Sequence, residues 1–126
     1  MNTSPNWIPW LIFAGVAAAF FLFKRAGQIS PKEALAHLKN GALVIDVRST
    51  GEFRSGHLAA AVNLPLDDIE TALPRRVKDK NQVLLLHCQS GMRSGVARHK
   101  LRRLGYVNTF NLGSLARAGG IVASAR

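Results

Sequence analysis

The chain has 126 residues, with 17 Lys and Arg against 7 Asp and Glu for a formal net charge of +10, and a single cysteine, Cys88. That length suits one modest domain with an appendage. One cysteine excludes an internal disulfide and a cysteine-rich metal site, so Cys88 is either a reactive thiol or a packing residue.

Residues 1–6 read as a short N-terminal tail. From Trp7 to Phe23 the sequence WIPWLIFAGVAAAFFLF carries no charge. As a helix it would span about 25 Å, near the lower limit for a hydrocarbon core of about 27 to 30 Å. Trp7 and Trp10 suit one interface, Lys24 and Arg25 can snorkel at the other, and Pro9 is tolerable in the first turn. A signal peptide carries its positive charge before the apolar run, whereas Asn2 to Asn6 supply none. The expectation is one transmembrane helix over 7–23, with a cleaved signal or an interfacial helix as alternatives. Lys24, Arg25, Lys32 and Lys39 on its C-terminal flank place the following domain in the cytoplasm. In a bacterial cell this is a single-pass inner-membrane protein with its N-terminus outside. The small-xxx-small pair Gly15 and Ala19 is too weak a signal in an alanine-rich segment to argue for a homo-oligomer.

Residues 24–29 read as a juxtamembrane tether and 30–126 as one domain. If Ala26 to Ile29 are extended, the domain stands off the membrane by at most about 14 Å. Ser30-Pro31-Lys32-Glu33 has the form of a capping box with proline at the first helical position, and Ile29 can staple onto Ala34. Leu35 and Leu38 supply the buried side of this helix, and Asn40-Gly41 stops it. Ala42 to Val47 follows as a strand. Asp46 and Arg48 project to one side of it, as an ion pair or loop brace, and Glu52 is better suited to pairing with an arginine than to proton transfer. His57 reads as a turn residue whose ring bonds to backbone. Ala61 to Leu64 reads as a short strand and Leu66 to Leu73 as a short helix, after which Pro74 and the basic run Arg75, Arg76, Lys78 and Lys80 lead onward.

The stretch from Val83 to Gly105 has the only local arrangement that looks built for chemistry. Val83 to Leu86 is an unbroken apolar run, as expected of a strand buried on both faces of a parallel sheet. Gln89 to Arg93 forms a polar turn. From Ser94 a helical stripe of Ala97, Leu101 and Leu104 begins, with Arg98, Arg102 and Arg103 off it, and Gly105 ends it. Cys88 therefore sits where a strand ends and a loop enters a helix N-terminus. Unpaired N–H groups there, with the Arg93 guanidinium, lower a thiol pKa and hold a thiolate. His87 points to the opposite face from Cys88 and is not assigned as a base. Tyr106 to Leu112 gives a last strand, and Gly113 to Arg126 a helix followed by a loose tail. Alternating strands and helices imply a parallel sheet covered on both faces, with ligands at the strand C-terminal ends.

Cys88 to Ser94, CQSGMRS, resembles the active-site loop of the rhodanese (sulfurtransferase) family. Asp46 to Pro65, DVRSTGEFRSGHLAAAVNLP, is similar to that family's Asp-x-Arg, Glu-Phe, Gly-His-Leu, Ala and Asn-x-Pro sequence. The resemblance covers about residues 28–115 and implies an α/β fold: a rhodanese-like open parallel sheet with helices on both faces, here preceded by the transmembrane helix. It implies Cys88 as nucleophile, Gln89, Ser90, Gly91, Met92, Arg93 and Ser94 as the anion-binding loop, and Asp46, Arg48 and Glu52 in support. The implied reaction takes a sulfur atom from a small anionic donor such as thiosulfate, through a Cys88 persulfide, to a thiol or cyanide-like acceptor. No metal or organic cofactor is required. Two other readings stand beside it: a phosphatase or arsenate reductase using a Cys-to-Arg anion loop, and a non-catalytic membrane-tethered module. The chain departs from the family in having Gly113-Ser114 in place of a Gly-Gly pair, and no Trp beyond Trp10. The basic excess, with no nucleic-acid motif beside it, suits anionic lipid headgroups, with a solvated basic face that has no partner as the alternative.

Overall fold

The computed structural model describes residues 5–25 and 27–126, with the backbone alone for 23–25. Six helices and four strands follow in the order α1 (Ile8–Arg25), α2 (Pro31–Lys39), β1 (Leu43–Asp46), α3 (Thr50–Arg54), β2 (Val62–Asn63), a 3-10 turn (Leu66–Asp68), α4 (Ile69–Arg76), β3 (Leu84–His87), α5 (Met92–Arg103), β4 (Thr109–Gly113) and α6 (Leu115–Ser124). Among the described residues the strands form one parallel sheet in the order β2-β1-β3-β4, with β1 and β3 in register from Leu43↔Leu84 to Asp46↔His87.

Side-chain alternation along the strands builds two cores. Ile45, Val47, Leu84, Leu86 and Cys88 pack with Ile69 and Leu73 of α4 and with Ala97 and Leu101 of α5. Val44, Leu85 and Leu112 face the other way, against Ala34 of α2 and Ala118 and Ile121 of α6. The sheet is thus sealed on both faces, and the all-apolar character of Leu84 to Leu86 follows from that placement.

Several expected boundaries move for identifiable reasons. Ser49 and Glu52 form a reciprocal capping box that starts α3, a helix not anticipated above. At Ser30 the hydroxyl accepts the Glu33 N–H at 3.3 Å, half of such a box. Pro74 lies inside α4 rather than beyond it. β4 begins only at Thr109, because the Tyr106 N–H returns to the Leu101 carbonyl and its hydroxyl donates to the Val77 carbonyl at 2.6 Å. Leu104, expected on the buried stripe of α5, is partly exposed at its C-cap. The helix expected after Gly113 is α6, capped by the Ser114 hydroxyl and held by buried Ala118 and Ile121 in spite of Gly119 and Gly120, and it runs to Ser124.

The N-terminal segment departs furthest. The apolar residues do form a helix, α1, and its described side chains stand exposed, Trp10 at 73% and Phe13 at 68%. Among the described residues, however, no helix is long and apolar enough to cross a membrane. The part with described side chains, Ile8 to Leu22, rises about 22 Å against a hydrocarbon core of about 30 Å. The side chains of Lys24 and Arg25, the expected interfacial anchors, lie outside the described residues, as do residues 1–4 of the tail and Ala26 of the tether. Nor is the tether free up to Ile29. Gln28 bridges in parallel to Asn111 of β4, and the Ile29 N–H donates to the Asn111 carbonyl at 2.9 Å. This pairing removes two residues from the expected stand-off.

Candidate active site

β3 ends at His87, and Cys88 lies immediately beyond, at the C-terminal end of a central strand. The chain then turns through Gln89 and Ser90 to Gly91, the N-cap of α5, whose φ of +96° is a conformation that glycine adopts without strain. This turn brings the Gly91 N–H to 3.0 Å from the Cys88 sulfur. The Ser94 hydroxyl oxygen lies 3.5 Å from the same sulfur. Burial pushes the thiol pKa up, but hydrogen bonds from the Ser94 hydroxyl and from the Ser94, Gly91 and Ser90 backbone outweigh it, and the net direction is downward. The donors are thus the Ser94 hydroxyl first, then three amides of the loop itself.

Arg93 is held at the loop by the arginine pairing expected of Glu52. Its guanidinium forks onto Glu52, with Nη1 to Oε1 at 2.6 Å and Nη2 to Oε2 at 2.8 Å. That pairing, with the Ser49 N–H next, holds the Glu52 carboxyl down at about 2. α3 is thereby tied to the first turn of α5. Beside the tie a small cavity of about 130 Å³ is lined by Val47, Ser49, Pro65, Leu66, Asp67 and Arg93.

Asp46 and Arg48 make the brace expected of them. The Arg48 Nη2 donates to Asp46 Oδ2 at 2.7 Å, and its Nε bonds both carboxylate oxygens at 3.0 Å. The same guanidinium reaches the Gly56 carbonyl at 2.7 Å and Gln89 Oε1 at 3.5 Å, so the brace spans from the β1 end to the catalytic loop. Asn63 secures it by donating to the Asp46 and Arg48 carbonyls at 3.0 and 2.9 Å. His57 bonds backbone through Nδ1, 2.8 Å from the Phe53 carbonyl. His87 is fully buried, with Nε2 3.9 Å from Asp46, and burial holds its pKa down. It belongs to the face opposite Cys88.

Of the loop residues, Gln89, Ser90 and Met92 are exposed, while Gly91, Ser94 and Cys88 are buried. The residue that sequence reasoning missed is Asn111. Buried on β4, it donates from Nδ2 to the Gly91 carbonyl at 3.0 Å and accepts at Oδ1 from the Ser94 hydroxyl at 2.7 Å and the Gly113 N–H at 2.9 Å. The Ser94 hydroxyl has one proton and two acceptors in reach, Asn111 Oδ1 and the sulfur. The amides are therefore the constant donors and the hydroxyl a switchable one. An asparagine set between Phe110 and Leu112 in a strand was the available signal.

Gly113 and Ser114, where the sequence departs from the family pattern, complete the wall. The Gly113 carbonyl accepts the Cys88 N–H at 3.3 Å, and Ser114 bridges antiparallel to Ser90.

Arg93→Ala is expected to raise the KM for an anionic donor severalfold. The pH midpoint of Cys88 alkylation should move less than it does on loss of a direct donor, because Arg93 is already paired with Glu52. Steady-state kinetics beside an iodoacetamide pH profile checks both. A midpoint that rises as far as in the Asn111 variant discussed below would show that the guanidinium field dominates.

Comparison with known proteins bears on this geometry. Residues 30–116 match the model of the Rhodanese-like domain family. The chain is 34% identical over 71 residues to the thiosulfate sulfurtransferase PspE of Escherichia coli (strain K12), covering 56% of this chain and 68% of that one. It is 32% identical over 120 residues to the uncharacterized protein YqhL of Bacillus subtilis (strain 168), covering 91% and 94%. Among solved structures, a rhodanese with anions from E. coli superposes with a TM-score of 0.59 at 31% identity, over 61% of this chain and 91% of that one.

Proposed function

Since the chain belongs to the rhodanese-like domain family, we propose that it is a sulfurtransferase in which Cys88 carries the sulfur as a persulfide, taken from a thiosulfate-like donor. The observation that supports this most is the Gly91 N–H aimed at the Cys88 sulfur from 3.0 Å, in a loop whose donors favour the thiolate. The thiolate attacks the outer sulfur of the donor, the bond from that sulfur to the central one breaks, and sulfite leaves with the bonding pair. The new terminal sulfur is an anion held by the same loop amides. A cyanide-like or thiol acceptor then takes that sulfur, and the electron pair of the S–S bond returns to Cys88. Because Cys88 is fully buried, a donor reaches it as the exposed loop residues Gln89, Ser90 and Met92 yield. The reading is tested by incubating the protein with thiosulfate and cyanide. Equal release of thiocyanate and sulfite is expected, whereas hydrolysis of an aryl phosphate without thiocyanate would favour phosphoryl chemistry.

We further propose that α1 attaches the domain to a bilayer, with the domain on the cytoplasmic side of a bacterial inner membrane. Exposed Trp7, Trp10, Phe13, Val16, Phe20 and Leu22 support this, since a helix that is apolar all round and packs on no core is buried in something else. The basic flank that follows it supports the orientation. The expected outcome is retention in the membrane fraction after carbonate washing, with the C-terminus shielded from protease outside intact cells. Release into the wash would remove the anchor from the account.

A further inference from the structure

Two glycines of the catalytic region lie against each other, a Cβ on Gly91 meeting the Gly113 Cα at 3.3 Å, and a residue from the opposite end of the chain packs over both. A Cβ placed on Gly91 would meet Gln28 Nε2 at 3.1 Å, and one placed on Gly113 would meet the same atom at 3.1 Å. The Gln28 amide therefore lies in van der Waals contact with both glycines. These are the residues whose backbone touches Cys88: the Gly91 N–H donates to its sulfur, and the Gly113 carbonyl accepts its N–H.

We propose that Gln28 is a positioning residue for the catalytic loop, its side-chain amide acting as a wedge that fixes the Gly91–Gly113 contact and so the direction of the Gly91 N–H. The inference rests on the reading of Cys88 as nucleophile and adds to it a residue from outside both recognised motifs and before the matched domain.

The tether that carries Gln28 is held on three sides. Gln28 itself bridges to Asn111, and the Ile29 N–H bonds the Asn111 carbonyl, the same Asn111 whose side chain gathers Gly91, Ser94 and Gly113. Arg117 of α6 donates to the Ile29 carbonyl and, at 2.6 Å, to the Leu112 carbonyl. Arg98 of α5 lies against Gly27, its Nη1 3.0 Å from where a Cβ there would stand. A side chain anchored this firmly can hold a loop in place, which an exposed linker cannot. In sequence, only Ala26 and Gly27 separate α1, which ends at Arg25, from the wedge.

The test uses the full chain and does not require sulfur transfer. The rate of Cys88 alkylation by iodoacetamide is followed against pH for wild type, Gln28→Ala and Gln28→Met, with thermal unfolding alongside. Gln28→Ala should move the midpoint upward by roughly one pH unit, because the Gly91 N–H is no longer held on the sulfur. Its maximal rate should rise as the loop loosens. Gln28→Met keeps the length and bulk of the wedge and should bring both values back toward wild type. A Gln28→Ala midpoint equal to wild type in a folded protein would overturn the proposal, as would a Gln28→Met variant no better than Gln28→Ala. If thiocyanate is not formed by any form of the protein while the midpoint still shifts, the sulfurtransferase reading fails and the positioning role stands.

Discussion

Cys88→Ser is expected to reduce thiocyanate formation by at least about a thousandfold, since the nucleophile of a covalent route cannot be replaced by a hydroxyl with no adjacent base. The fold should survive. Cys88 packs in the core formed by the sheet with α4 and α5, and serine is slightly smaller and polar, so burial of an unsatisfied hydroxyl would cost about 1 to 3 kcal/mol. Here the Gly91 N–H, 3.0 Å from the sulfur, remains to donate to the new oxygen. The expected thermal midpoint is accordingly within a few degrees of wild type. Turnover that persists in the folded variant would exclude a sulfur carried on this residue.

Asn111→Ala should have the largest effect on stability and should also disturb the site, although Asn111 is not read as touching a substrate. The substitution removes a partner from three groups: the Gly91 carbonyl keeps the Gly95 N–H at 3.2 Å and the Ser94 hydroxyl keeps the sulfur in reach, while the Gly113 N–H is left orphaned. A buried orphan costs about 1 to 3 kcal/mol, and loss of the other two bonds brings the expected total to about 2 to 4 kcal/mol. The released Ser94 hydroxyl gains freedom to turn toward the sulfur, while the Gly91 N–H loses its fixed direction. The Ser90, Gly91 and Ser94 amides lose their common support together, so the pH midpoint of alkylation should rise and turnover at neutral pH should fall about tenfold or more. Denaturant unfolding and the alkylation profile measure the two effects separately. A variant with normal stability and an unchanged midpoint would show that the loop orders itself without β4.

What the sequence discloses here is what is local. Leu84 to His87 and the turn into α5 could be read from an apolar run followed by glycine and a helical stripe, and so could the position of Cys88 between them. The Asp46–Arg48 pair was equally legible, being two residues apart on one strand. The capping box that begins α3 was also local, in the Ser49-x-x-Glu52 pattern, but Glu52 was read only for an arginine partner. That partner proved to be Arg93, because Arg48 is taken by Asp46.

The illegible features depend on distant packing. Asn111 meets Gly91 and Ser94 only because β4 lies beside β3, and Gln28 reaches the loop only because the tether adds to the far edge of β4. Part of the basic excess is likewise internal: Arg98 and Arg102 both donate to the Thr109 carbonyl at 3.2 Å, and Arg117 serves Leu112 and Ile29. At the C-terminus, Gly119 and Gly120 carry poor helix propensity, and burial of Ala118 and Ile121 overrides it.

Whether sulfur rests on Cys88 between donor and acceptor can be read by mass spectrometry of the protein after brief exposure to thiosulfate. The expected result is a gain of one sulfur atom, localised by fragmentation to the peptide containing Cys88, removed by cyanide and absent from Cys88→Ser. Thiocyanate formation at full rate with no sulfur ever found on Cys88 would contradict it.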